Sequence, residues 1–173
     1  MASLHQFNLN YDAVEDRVLL RVNTTAGEEM RIWLTRRVTQ LLWMVLMRRL
    51  EANPQMVAHV PADSRKSVMA LKHKDAVDKS DFSKPYQARP ATLPLGETPI
   101  LITKLTVATP KPGVHALTLF PKDGKSITLT LPDKAIHSFC HLLEKVVEKA
   151  KWGFSLKLED PEQEAPPPGT RLM

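Results

Sequence analysis

Two stretches of the chain, 97 residues apart, carry the same order of apolar residues, and this repetition limits the fold more than any other feature. Leu20 and Val22 fall on Leu117 and Leu119, Gly27 on Gly124, and Ile32 and Leu34 on Leu129 and Leu131. Leu42, Val45 and Leu46 fall on Phe139, Leu142 and Leu143, with no gap from the second strand to the end of the helix. In the first stretch, His5–Tyr11, Arg17–Asn23 and Met30–Leu34 alternate apolar with polar residues, the period of strands with one buried face. Thr35 is a good N-cap for a helix from about Arg36 to Ala52, which Asn53-Pro54 ends. The second stretch repeats the order: strands at Ile100–Ala108, His115–Phe120 and Ser126–Leu131, then a helix from Pro132 to about Lys151.

Each stretch reads as a βββα unit, an antiparallel meander followed by one helix. Fifty residues bury too little apolar surface for comfortable stability, so the two units are expected to share one core. The prediction is an α+β fold of two βββα units, related by internal duplication and packed about a pseudo-two-fold axis. The expected divisions are 1–53 for the first unit, 54–98 for a polar connection and 99–153 for the second unit. An acidic, proline-rich tail, 154–173, is expected to be disordered. Proline supports these boundaries: none occurs before Pro54, six lie from Pro54 to Pro99, and four lie in the tail. Within the connection, Asp63 or Ser64 can cap a short helix spanning about 63–78, and the rest reads as extended and mobile.

Composition excludes several classes. Among 173 residues, 24 Lys+Arg face 19 Asp+Glu, a net charge of +5 that permits nucleic-acid binding without demanding it. The longest apolar run, Leu41–Met47, is far short of the roughly 20 residues that span a bilayer. No secretory signal is visible at the start, and the single cysteine fits a reducing, cytoplasmic setting. No glycine-rich phosphate loop, Gly-x-Ser-x-Gly, His-Glu-x-x-His or Cys-x-x-Cys occurs. Asp12, Glu15 and Asp16 read as a solvated loop. His137, Cys140 and His141 have helical spacing for a metal, but the equivalent residues of the first helix, Gln40, Trp43 and Met44, are not ligands. The expectation is therefore a chain with no catalytic residues, no metal and no cofactor.

Two surfaces stand out instead. The first helix is apolar all round: Val38, Leu41, Leu42 and Val45 form a stripe for its own sheet, while Trp43, Met44, Met47 and Leu50 point elsewhere and need cover. That second set is the expected protein interface, which makes a self-associating or adaptor module the leading reading. The alternative uses the outer face of the first sheet, where Arg17, Arg21 and Arg31 surround Trp33, helped by Lys66, Lys72 and Lys74 of the connection. Arginines around an aromatic suit single-stranded DNA or RNA.

The repeated strands-then-helix order resembles the Whirly and PUR-repeat families of single-strand binders. It departs from them in showing three strands per repeat where they have four. The resemblance lies in topology alone and transfers no residue. Phe7–Asp12, Asp16–Leu20 and Trp33–Arg37 also resemble stretches of uncharacterised bacterial proteins.

Overall fold

A computed structural model describes residues 3–88 and 92–158. The fold is α+β, with a six-stranded mixed sheet and four helices. The strands are β1 (Leu4–Asp12), β2 (Arg17–Thr24), β3 (Glu29–Thr35), β4 (Ile100–Lys111), β5 (Val114–Pro121) and β6 (Ile127–Pro132). The helices are α1 (Arg36–Glu51), α2 (Pro54–His59), α3 (Arg65–Asp78) and α4 (Asp133–Ala150). Among the described residues, no helix is long and apolar enough to cross a membrane.

The strands lie side by side in chain order. Hairpin turns make β1–β2–β3 and β4–β5–β6 antiparallel meanders. The β2–β3 turn needs a residue at positive φ, which Gly27 supplies at 79°. Among the described residues, two residue pairs, Ile32–Ile100 and Trp33–Leu101, join the strands of the two meanders, and they are parallel. A parallel join needs a crossover, and α1, α2 and α3 provide it.

Alternation works as the sequence implies. Val18, Leu20 and Val22 of β2, Ile32 and Leu34 of β3, and Leu117 and Leu119 of β5 are buried in one continuous core. Helix α1 starts where the Thr35 side chain accepts from the Val38 N–H at 3.3 Å. Its buried face is Val38, Leu42, Trp43, Leu46 and Leu50; Leu41 turns outward instead of facing the sheet. The helix lies most closely against β4, a strand of the other meander. Helix α4 does the converse and packs chiefly on β1, with Phe139 edge-on to Phe7 at 5.5 Å between ring centroids. Each helix therefore closes the core of the half it does not follow in sequence.

The polar connection is more structured than its composition suggests. Asn53-Pro54 ends α1 but also starts α2: the Asn53 side chain accepts from the Gln55 N–H at 3.0 Å, and proline fits the first helical turn. Helix α3 packs on α1 and α4. Residues 154–158, expected in the tail, contribute buried Leu156 and partly buried Phe154 and Leu158 to the core. The remainder of the expected tail, 159–173, lies outside the described residues.

Candidate functional site

Three places hold the residues of interest. The first is the α1 surface. Trp43 and Leu50 are buried within the chain, which corrects their assignment to an interface; Met47 is half-buried. Helix α1 packs on β4, β3 and α3, with Met56 and Met69 buried in the same cluster. Met44 stays open at 49% exposure, with Leu41 beside it at 40%. Arg37 and Arg48 are exposed toward the two ends of this same helical stripe. Neither has a carboxylate within salt-bridge distance among the described residues.

The second is the outer face of the first meander. Register puts Arg31 opposite Arg21, Trp33 opposite Leu19 and Thr35 opposite Arg17, so the expected residues do share this face. It is not an open platform. Alternation also puts Glu29 there, at 1% exposure, and Arg31 Nε donates to Glu29 Oε1 at 2.7 Å. A strap of the connection then crosses the face. Tyr86 donates its hydroxyl to Glu29 Oε2 at 2.8 Å, and its ring stacks beneath the Arg21 guanidinium at 4.7 Å. Gln87 N–H donates to Gln6, Asn23 donates to the Gln87 carbonyl, and Glu29 N–H donates to the Thr92 carbonyl. Arg17 lies 3.8 Å from Glu15, and Trp33 is half-buried. Lys66, Lys72 and Lys74 are exposed on α3, which packs on α1 and α4. The structure therefore separates the lysines from the arginines and engages the arginines internally.

Burial works to raise the Glu29 pKa, but hydrogen bonds from Arg31 and Tyr86, with the charges of Arg31 and Arg21, hold it below the ordinary carboxylate value. Folded Glu29 thus stays ionised at pH values where the unfolded chain's carboxyl has taken up a proton. The stability it contributes is complete above about pH 5 and is lost as pH falls through its lowered value. Glu29→Gln should lower stability by about 2 kcal/mol at neutral pH. The gap between the melting temperatures of the two proteins should narrow as pH falls below the ordinary carboxylate value. An unchanging gap across that range would contradict this assignment.

The third place is a groove of about 930 Å³ between α3, α4 and the segment after α4. Ala70, Val147 and Leu156 give it apolar walls, and Lys74, Lys145 and Lys157 lie among its lining residues. His73, His141 and Glu144 converge in it, each offering a ligand atom within 4.8 Å of the others. His73 Nε2 lies 3.8 Å from Glu144 Oε1, while His73 Nδ1 meets His137 Nδ1 at 3.2 Å. Burial, then the neighbouring His137 and His141, hold the His73 pKa down to about 4. Burial pushes Glu144 up to about 7, against an opposing hydrogen bond from the Leu158 backbone. Burial also lowers His137 and His141 and raises the Cys140 thiol, which leaves Cys140 inert as a nucleophile at neutral pH.

His73 was missing from the sequence-based candidates. It follows Met69 by four residues and precedes Val77 by four, so it sits on the apolar stripe of α3, where a histidine reads as core. Its partners are 64 to 71 positions away, and no local spacing connects them. Glu144 lies three residues after His141, off the buried stripe of α4, where a carboxylate reads as surface. Comparison with protein-family models, with curated proteins and with solved structures returned no match.

Proposed function

We propose that this chain is a non-enzymatic protein-interaction module, an adaptor that docks a partner protein on the outer stripe of α1. The observation that carries this reading is the pairing of exposed Leu41 and Met44 with Arg37 and Arg48 at the two ends of the stripe. Apolar residues in the centre with arginine at the rim are the composition of a binding patch. A partner segment with apolar residues flanked by acids fits it. A second copy fits poorly, because antiparallel pairing of two α1 helices sets Arg37 of each against Arg48 of the other. The adaptor reading is thereby favoured over self-association. The single-strand reading is weaker, because Tyr86 of the strap stacks on Arg21 and Glu29 holds Arg31.

The same reading includes an internal duplication as the origin of the scaffold. Displaced by 97 residues, the bounds of β2 become those of β5, and α1 and α4 begin at equivalent positions. The packing of α1 on β4 is matched by that of α4 on β1, a reciprocity that supports a pseudo-two-fold relation.

The test is capture of partners from the native host by the tagged chain and by a Leu41→Glu, Met44→Glu double variant. Both sites are surface positions, so the variant should melt within a few degrees of the parent. The expected result is a protein recovered with the parent and lost with the variant. Equal recovery by both would overturn the assignment of the site.

A further inference from the structure

We propose that His73, His141 and Glu144 form a zinc site that braces α3 against α4. This inference is independent of the interaction reading. Two nitrogens and one carboxylate oxygen are a donor set for zinc and its transition-metal neighbours, whereas magnesium and calcium take oxygen. Two ligands each about 2.1 Å from a zinc ion stand roughly 3.4 Å apart at the tetrahedral angle. The His73 Nε2 to Glu144 Oε1 separation of 3.8 Å is too long for a hydrogen bond and close to that spacing. The full set, within 4.8 Å, closes onto an ion by movements of about an ångström.

Supporting groups are already in place. Only one proton fits between His73 Nδ1 and His137 Nδ1, 3.2 Å apart. With that proton on His73, its Nε2 keeps a free lone pair, 3.8 Å from the Glu144 carboxylate. This is the outer hydrogen bond that orients a ligating imidazole. The Leu158 backbone donates to Glu144, and the Phe82 ring packs against His141 at 5.0 Å between centroids. His141 and Glu144 are three residues apart on one helix face, so α4 presents both as a rigid pair. The groove gives an ion a way in and leaves its fourth position open to solvent.

The experiment titrates the chelator-treated full chain with Zn²⁺ by calorimetry and with Co²⁺ by visible absorption. The expected result is one ion per chain, with the intense d–d bands of four-coordinate Co²⁺ and no heat from Mg²⁺. Glu144→Gln is nearly isosteric and should remain folded, yet abolish those bands. His73→Ala and His141→Ala should do the same. His137→Ala touches only the supporting hydrogen bond and should weaken affinity by roughly 10- to 100-fold. Circular dichroism checks each variant for folding. Absence of one-to-one binding would overturn the proposal, as would Co²⁺ spectra unaltered by Glu144→Gln.

Discussion

Phe139→Ala should destabilise the protein by about 3–5 kcal/mol, a large share of what a single domain possesses. Phe139 is among the largest fully buried side chains, and its ring meets Phe7 of β1 edge-on. Removing it leaves a cavity between α4 and β1, two elements from opposite ends of the chain. The consequence is specific to the crossed packing. Because α4 closes the core of the first meander and α1 closes that of the second, neither half can lose its helix and stay folded. Unfolding in denaturant should therefore remain one transition, coincident by far-ultraviolet circular dichroism and tryptophan fluorescence. Two separated transitions, one for each half, would contradict the shared core.

Trp152→Ala should cost a similar amount, about 3–5 kcal/mol. The residue follows α4, at the point where the sequence suggests that ordered structure is ending. Yet it is buried, with its ring edge-on to Tyr11 at 5.8 Å and stacked with Phe154. Its Nε1 donates to Asp16 at 2.6 Å, and the Tyr11 hydroxyl donates to the same oxygen at 2.7 Å. Those two hydrogen bonds are the leading reasons that Asp16 titrates below the ordinary carboxylate value. Trp152 thus pins the end of α4 to the β1–β2 turn. Trp152→Phe, which keeps the ring and loses the donor, should fall between the parent and the alanine variant in thermal midpoint. Parent-like stability for Trp152→Ala would remove 151–158 from the core.

The parts of this fold that are legible in sequence are those governed by local chemistry. The period of two in Arg17–Asn23 and Met30–Leu34, the Thr35 cap and the glycine of the β2–β3 turn each act within a few residues. The apolar stripe of α4, from Ile136 to Ala150, is buried as its spacing implies. What the sequence hides depends on distant pairing. The join between the meanders rests on Ile32, Trp33, Ile100 and Leu101, which carry no register signal of their own. Asn53-Pro54 is chemically both a stop and a start, and only the packing of Met56 shows that a helix follows.

The candidate sites follow the same division. Arg21 and Trp33 can be placed on one face by alternation. Glu29 and Arg31 are likewise two residues apart on one strand, but that Tyr86 would stack on Arg21 and donate to Glu29 depends on a strap more than fifty residues away. Trp43 is apolar on an apolar helix whether it faces a partner or β4; here the chain covers it and leaves Met44 outside. The histidine groove needs α3 and α4 to meet, which neither helix announces.

The docking role of α1 is tested most directly by placing a photoactivatable cross-linking residue at position 41 in the native host, with position 14 as a control. Val14 is 95% exposed on the β1–β2 turn and lies outside the stripe. Docking on α1 predicts a discrete adduct from position 41 that is absent from position 14, carries an acidic partner segment, and is suppressed by Met44→Glu. Equal adducts from both positions, or none from position 41, would contradict it.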